Sequence, residues 1–198
     1  MKNTTRVTIA SIFLLTLSAS VLAEKSLSYD YVEAGYTHYD VKSSSSDINY
    51  NGYTVGGVKE ISDNVHVFSS YTDTSTSTTD VDLIVVGAGI HHPLSDNTDV
   101  VVNLSRINWD SASTNVSGSG HVNGGDIGVR HHMSDELEIT AGIEKYNFST
   151  GVSYKGIGVG IAKKIDENIS IVLDHSNLER TDDLWDWDIT TISIRHYY

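Results

Sequence analysis

Cysteine is absent from the 198-residue chain, and proline occurs only once. Without cysteine no disulfide can hold the fold together, so the stability has to come from the architecture itself. Basic residues are also few, because 13 lysines and arginines stand against 26 aspartates and glutamates, which gives a formal net charge of −13. A surface of this charge repels nucleic acid and excludes binding through a basic patch.

Long apolar runs are missing from most of the chain. Beyond the N-terminal segment the longest run is "LIVVGAGI" at Leu83–Ile90, which is less than half the length of a membrane-spanning helix. There is also no convincing helical periodicity. The remaining expectation for the chain is an all-β structure.

The N-terminal segment, residues 1–23, has the pattern of a secretory signal peptide. Lys2 and Arg6 precede an uncharged apolar stretch, and small residues at Val21 and Ala23 predict cleavage before residue 24. A membrane anchor is the less favoured alternative, because the run is near the lower limit for spanning. The predicted mature chain, 24–198, is a single domain with 11 basic and 26 acidic residues.

Short turn signatures recur along the mature chain: "ISDN" at 61–64, "PLSDN" at 93–97, "MSDE" at 133–136 and "KIDEN" at 164–168. Aspartate and asparagine in such positions fold back onto their own backbone and favour tight turns. Between successive turns lie an alternating segment, a stretch rich in serine, threonine, glycine and aspartate, and a second alternating segment. Four tight turns and five loops of roughly ten residues predict ten strands, with eight as the alternative count.

Apolar and charged residues occupy opposite faces of the predicted strands. In the seventh strand Leu137, Ile139, Ala141 and Ile143 alternate with polar residues. A charge facing lipid near the membrane centre costs several kcal/mol, so the charged face has to be the inner one. This pattern predicts a transmembrane antiparallel up-and-down β-barrel with a polar lumen, although the faces of strands 3 to 5 stay open.

Seven charged residues are predicted to form a network in that lumen. A ten-stranded ring is narrow, so its interior has to be filled by side chains that satisfy one another. The expected pairs are Arg195 with Glu33 across the closing seam, and Arg130 with Glu138 across the third turn. A selectivity filter is the alternative, since inward glycines leave room for a thin water path. The predicted network comprises Glu33, Asp126, Arg130, Glu138, Glu144, Asp174 and Arg195.

The chain ends on an alternating strand, "WDITTISIRHYY", which predicts that the last strand pairs with the first and closes the barrel. Tyr198 is then expected at the periplasmic boundary, in the aromatic girdle. The outward residues of this strand resemble the C-terminal signal by which the barrel-assembly machinery recognises its clients. They are Ile192, Ile194, His196 and Tyr198.

Two longer segments, "SYDYVEAGY" at Ser28–Tyr36 and "GYTVGGVKEISDNVHVFSSY" at Gly52–Tyr71, carry a family resemblance, together with the repeated "SDN" turns. With these segments the chain resembles the small outer-membrane β-barrel family of proteobacteria that carries a quorum-factor-like label. The resemblance implies a barrel in the outer membrane of a Gram-negative bacterium, in contact with lipid and lipopolysaccharide. It implies no catalytic or binding residues. Lys59 departs from the pattern at an outward position.

Nine histidines raise the hypothesis of a transition-metal site, for example at His91 and His92. No ligand spacing such as HxxxH supports it, so histidine in place of tyrosine or tryptophan in the interfacial belts is the favoured interpretation. Six histidines are expected near the periplasmic rim and three near the outer end. They are His66, His91, His92, His131, His132 and His196 at the rim, and His38, His121 and His175 at the outer end.

The segment "TDDLWDWD" at 181–188 is rich in carboxylates. Such a density could hold calcium or magnesium that bridges to lipopolysaccharide phosphates. The favoured alternative is a solvated acidic loop with Trp185 and Trp187 in the outer aromatic girdle, since the spaced pattern of a dedicated calcium site is missing. The carboxylates are those of Asp182, Asp183, Asp186 and Asp188.

No catalytic motif is present, because neither a Ser/His/Asp spacing nor a G-x-S-x-G elbow occurs in the chain. Enzymatic activity and a cofactor are therefore not expected. Two functional hypotheses stay open. The first is a largely closed barrel with a structural or surface-interaction role, presenting acidic loops rich in serine and threonine. The second is a narrow, porin-like passive channel that prefers small cations.

Overall fold

A computed structural model describes residues 29–43, 47–114, 116–148, 151–181 and 185–198, so the predicted signal peptide lies outside the described residues. Ten strands are present, and each pairs in antiparallel fashion with its neighbours in a closed barrel. The predicted ten-stranded barrel is therefore confirmed, and the alternative count of eight is wrong. The strands are β1 Tyr31–Ser43, β2 Asp47–Ser62, β3 Val65–Ser75, β4 Thr79–Ser95, β5 Thr98–Ser113, β6 Ser117–Ser134, β7 Leu137–Phe148, β8 Ser153–Asp166, β9 Ile169–Arg180 and β10 Trp185–Tyr197.

The closing seam joins β1 to β10 over the whole length of both strands. Their register runs from Tyr31 opposite Tyr197 to Ser43 opposite Trp185. Closure leaves no strand edge unpaired, which is the condition for a β-structure in hydrocarbon, where no water can satisfy the backbone. Among the residues that the structure describes, no helix is long and apolar enough to cross a membrane.

Tight turns occur at the four positions that the sequence predicts. Two residues separate β2 from β3, β4 from β5, β6 from β7 and β8 from β9. A register shift precedes each turn, and the single proline, Pro93, lies at one of these irregularities. Proline is tolerated there because the ladder does not need its missing N–H group.

The connections at the other end are shorter than expected. Three or four residues link the strands there, where the sequence predicted loops of about ten, so that prediction is wrong. Parts of the Ser/Thr-rich stretches continue the strands instead, since residues such as Thr72–Ser75 on β3 and Ser111–Ser113 on β5 pair in the ladder, and threonine suits a pleated sheet. Nine of the ten strands have 12 to 18 residues and exceed the 9 to 11 that a membrane requires, so the barrel projects beyond the bilayer at this end.

The outer surface carries an apolar belt. Isoleucine, valine and leucine side chains point away from the barrel on every strand, and many are about half exposed. Charged residues mark the borders of the belt, as expected where hydrocarbon ends. Outward positions of the belt include Val32, Val55, Val67, Ile84, Val86, Leu104, Ile127, Val129, Ile143, Ile157, Val159, Ile171, Leu173, Ile192 and Ile194.

The structure also resolves the faces of β3, β4 and β5. Inward positions include Phe68 on β3, Leu83 and Val85 on β4, and Val101 and Ile107 on β5, and all of these side chains are buried. Apolar residues therefore occupy both faces of these strands. The alternation in the sequence is weak here because the barrel interior has an apolar part of its own.

The lipid-facing belt predicts a position-dependent cost for a charge. Val159 lies on the outer face at mid-belt, opposite Ala141, whereas Leu94 lies outward next to the tight turn between β4 and β5. We expect Val159→Arg to lower the free energy of unfolding in phospholipid vesicles by about 2–4 kcal/mol, and Leu94→Arg to change it little. Urea unfolding followed by heat-modifiable gel mobility measures both. Equal effects at the two positions would contradict the assignment of the belt.

Candidate functional site

A band of charged side chains crosses the barrel interior toward the end where Tyr31 and Tyr197 face each other. All seven residues of the predicted network point inward. Five are buried, and Glu33 and Asp126 are partly buried. Five strands contribute residues to this band, and Glu33 is the one on β1. The others are Asp126 and Arg130 on β6, Glu138 and Glu144 on β7, Asp174 on β9 and Arg195 on β10.

One cluster of this band lies at the closing seam. Arg195 stands opposite Glu33 in the register of β1 and β10, and its Nε donates to Glu33 Oε2 at 2.8 Å. Ser193 Oγ donates to the other oxygen of Glu33 at 2.7 Å. The guanidinium of Arg195 also lies 4.2 Å from the centre of the Tyr31 ring, a cation–π contact. The seam is thus joined by side chains as well as by backbone pairs.

A second cluster forms around Arg130, which is fully buried. Its guanidinium makes an ion pair with Glu138, which is 3 % exposed. Arg130 faces Thr140 in the ladder and Glu138 faces His132, so the pair is diagonal across the third tight turn. Asp99 on β5 is opposite Arg130 on its other side and is also buried. The pair of Arg130 with Glu138 is the one that the sequence predicted across this turn, whereas Asp99 was not predicted as a member.

A polar chain extends from this band across β3, β5, β6, β7 and β9. His66 Nε2 donates to Asn103 Oδ1 at 2.9 Å, and Asn103 Nδ2 donates to Asp126 Oδ2 at 3.0 Å. Asp126 lies opposite Glu144, which accepts hydrogen bonds from Ser176 Oγ at 2.7 Å and from the Tyr146 hydroxyl at 2.9 Å. Asn103 and His66 were not predicted as members, because the faces of their strands were open.

Carboxylates outnumber arginines in the band. Asp174 is 1 % exposed, and neither of its oxygens has a hydrogen-bond partner among the described residues. A cavity of about 10 Å³ lies beside it, lined in part by Thr140 and Arg195, which is about the space that one water needs. Six carboxylates face two arginines here. They are Glu33, Asp99, Asp126, Glu138, Glu144 and Asp174 against Arg130 and Arg195.

The outer half of the interior contains a large apolar and aromatic group beside buried polar residues such as Arg180 and Thr74, which corrects the prediction of a polar lumen. Tyr154 and Trp187 pack edge to face with ring centres 5.8 Å apart. These two rings belong to a larger group of buried aromatic and aliphatic side chains, which we call the aromatic plug. Its side chains are almost completely buried, and they are Tyr39, Tyr50, Leu83, Ile107, Tyr146, Tyr154, Leu178, Trp187 and Ile189.

The aromatic plug has a signal in the sequence, namely the parity of its residues along the strands. Tyr39 has the same parity as Glu33 on β1, and Tyr146 the same parity as Glu144 on β7, so both had to point inward. Trp187 was expected in the outer aromatic girdle and lies inside the barrel instead, because it shares the inward face with Arg195. Of the acidic segment, Asp182 and Asp183 lie outside the described residues.

Inward glycines do not leave a water path. A Cβ atom at Gly87 would lie 2.2 Å from the ring of Phe68, and one at Gly124 would lie 2.2 Å from the ring of Tyr146. At Gly89 it would lie 2.4 Å from His66 Nε2. Large side chains of neighbouring strands therefore occupy the space above these glycines, and the thin water path that was the alternative is closed there.

Two of the periplasmic histidines point inward, which differs from the predicted belt position. His91 and His66 stack on the buried ring of Tyr29, with ring centres at 3.8 Å and 5.0 Å. His91 Nε2 donates to the carbonyl oxygen of Asp63 at 3.2 Å. Within the part of the chain that the structure describes, no group of three or more His, Asp or Glu side chains is placed to hold a metal ion.

Most of the other histidines lie where they were expected. His38 and His175 point outward at the outer end, where they contact Asn51 and Thr190 at 2.8 Å and 3.1 Å. His196 is exposed at the periplasmic rim, and His131 lies 2.9 Å from Thr98 Oγ1. His92 and His121 also face outward, whereas His132 lines the periplasmic mouth.

Ion pairs surround both rims of the barrel. At the periplasmic rim Lys59 pairs with Asp30, and Lys163 pairs with Glu136. Partial burial would raise the pKa of Asp30, but hydrogen bonds from Lys59 and from the Glu60 amide hold that pKa below its ordinary value. The hydrogen bond from Lys163 lowers the pKa of Glu136. At the outer rim Lys42 Nζ donates to Asp188 Oδ2 at 2.6 Å.

The chain is similar to known outer-membrane barrels. Residues 9–186 match the family model described as outer membrane protein beta-barrel domain. No curated protein matches the sequence. Among solved structures, an outer membrane channel from Pseudomonas putida F1 is similar with a TM-score of 0.54 at 7% identity, over 91% of this chain and 100% of that one.

Two further solved structures are similar to the chain. The translocator domain of autotransporter NalP from Neisseria meningitidis has a TM-score of 0.50 at 12% identity, over 88% of this chain and 90% of that one. The CymD monoaromatic hydrocarbon channel has a TM-score of 0.44 at 10% identity, over 77% of this chain. The chain spans only 52% of the CymD channel. At these identities the likeness shows the fold alone.

The ion pair of Arg195 with Glu33 at the closing seam predicts that the stability of the barrel depends strongly on both side chains. We expect Arg195→Met to lower the free energy of unfolding by about 3–5 kcal/mol, since it leaves the Glu33 carboxylate without its cation. Arg195→Met combined with Glu33→Gln should recover part of that loss. Lys42→Gln at the exposed rim pair is the control and should have little effect. Urea unfolding in detergent gives the coupling, and additive losses would show that the two side chains act independently.

Proposed function

Since the chain belongs to the outer membrane protein beta-barrel family, we propose that it is a closed outer-membrane barrel with a structural or surface-interaction role. The observation that carries this proposal is the filled interior. The aromatic plug occupies the outer half, and the charged band occupies the half nearer the periplasm. A ten-stranded ring is only slightly wider than the eight-stranded kind that side chains fill. We assign it no catalytic role.

The part of the barrel that projects beyond the membrane offers an acidic surface. Asp73, Asp82 and Asp110 stand opposite one another on β3, β4 and β5, and all three are exposed on the outer face. The Tyr71 hydroxyl donates to Asp82. This rigid strand surface takes the place of the long loops that the sequence predicted. It favours interaction with cationic groups or with divalent cations in the cell envelope.

The same proposal includes how the protein is exported and how its barrel is assembled. Residues 1–23 are assigned to a signal peptide that is removed on the way to the outer membrane. The last strand then presents Ile192, Ile194 and His196 on its outer face, and the exposed Tyr198 follows it directly. Because these side chains lie on the strand that closes the ring, they are accessible to the barrel-assembly machinery before β10 pairs with β1.

A narrow cation channel is the second candidate. The excess of carboxylates in the charged band is the observation that favours it, since uncompensated anions attract cations. The aromatic plug opposes it, because Tyr154 and Trp187 lie across the outer half of the interior. Conduction would require these side chains to move.

Planar-bilayer recordings separate the two candidates. We expect the wild-type barrel to show no discrete conductance steps, because the aromatic plug closes the outer half. Tyr154→Ala with Trp187→Ala should open the plug and produce cation-selective steps through the carboxylate band. Tyr36→Ala with Tyr53→Ala removes two outward rings and is the matched control, expected to stay silent. Discrete cation-selective steps from the wild type would overturn the proposal of a closed barrel and support the channel.

A further inference from the structure

Two lysines face each other on the outer surface of the barrel. Lys145 on β7 is directly opposite Lys155 on β8 in the antiparallel register, and both side chains are exposed. Neither makes an ion pair with any residue that the structure describes. Like charges directly opposite each other destabilise a sheet. The pair is therefore a place where an external anion would stabilise the barrel.

The lysine pair lies at the outer border of the apolar belt. One step toward the membrane on the same face, Ile143 is opposite Ile157, and the next outward pair is Ala141 with Val159. Lys163 marks the other border of the belt on β8. Both lysines are therefore at the height where the headgroups of the outer leaflet begin, and their aliphatic stems can follow the belt.

An apolar groove lies on the membrane side of the lysine pair, with Ile143 on β7 between Lys145 and Ala141. Ala141 forms its floor on β7, because its short side chain lies between the taller side chains of β6 and β8. Ile127 and Val129 form one wall, and Ile157 and Val159 form the other. These four wall residues are 40 to 59 % exposed. Such a groove accommodates an acyl chain whose headgroup lies beside the lysines.

A third cation extends this border. Arg106 on β5 is exposed on the outer face, directly above Leu104 of the belt, and its only hydrogen bond among the described residues goes to Asn108 at 3.4 Å. β5 and β7 are two strands apart, a lateral distance of about 10 Å. Acidic residues bound the patch, with Asp110 further out on β5 and Glu179 opposite Lys155 on β9.

We propose that this face of β5 to β8 binds a phosphorylated glycolipid of the outer leaflet, the lipid A part of lipopolysaccharide. The lysine pair would hold one phosphate through charge-assisted hydrogen bonds. Arg106 would contact the second phosphate, and an acyl chain would fill the groove. Cations this far apart fit a headgroup with two phosphates better than the single phosphate of a phospholipid. The proposal rests on the outer-membrane placement of the barrel and is independent of whether it conducts.

The test uses the protein purified from membranes in nonionic detergent and stripped of lipid. Bisphosphorylated lipid A is titrated in, and native mass spectrometry measures the bound fraction. We expect Lys145→Gln with Lys155→Gln to weaken binding by roughly tenfold or more, the loss expected for one charge-assisted contact. Lys145→Arg with Lys155→Arg should retain binding. Lys59→Gln with Lys163→Gln removes two outward lysines from the opposite rim and should leave the affinity unchanged.

Two further ligands test the proposal on the wild-type protein. Lipid A freed of its phosphates and phosphatidylglycerol should both bind the wild type at least about tenfold more weakly than bisphosphorylated lipid A. Equal binding of the dephosphorylated lipid would overturn the role of the lysines. Equal binding of phosphatidylglycerol would overturn the commitment to a glycolipid. Unchanged affinity in the Lys145→Gln, Lys155→Gln variant, with normal heat-modifiable mobility as proof of folding, would overturn the site.

Discussion

The pairing of every backbone polar group within the barrel wall is the constraint on which the rest of the structure depends. Hydrocarbon offers no hydrogen-bond partners, so a sheet that crosses it has to close on itself. Here closure is achieved by β1 and β10, which pair over thirteen residues. The side-chain contacts of Arg195 with Glu33 and Tyr31 lie across this same seam. Closure then determines which residues face lipid and which face one another, because the side chains of a strand alternate.

The small size of the ring is the reason why the interior of the barrel is filled. Ten strands leave too little room for a wide channel, so inward side chains have to pack. The two halves are packed differently. At the end with the tight turns the charged band pairs many of its groups with one another, and at the other end the aromatic plug fills the interior largely with apolar surface. Inward glycines serve this packing, since rings such as those of Phe68 and Tyr146 lie over them.

The outer border of the apolar belt carries different residues on different sides of the barrel. Tyrosines such as Tyr36 and Tyr53 lie at the outer border on β1 and β2, whereas Lys145 and Lys155 mark it on β7 and β8. Beyond this border the strands continue as an acidic wall. A barrel whose interior is closed can still act through such a surface, because lipids and envelope components contact the outside. The proposed lipid site and the proposed surface role therefore need no open lumen.

Local patterns in the sequence determined the strand count, the tight turns and the inward face of all seven charged residues. Alternation and turn chemistry act over a few residues, so they can be read before the fold is known. Only the tertiary structure decided how far the strands extend, because parts of the Ser/Thr-rich stretches are held as strands by their ladder partners. It also decided that Trp187 lies inside the barrel and that Asn103 joins His66 to Asp126. Those contacts join residues that are distant in the chain, and they depend on the register of a closed ring.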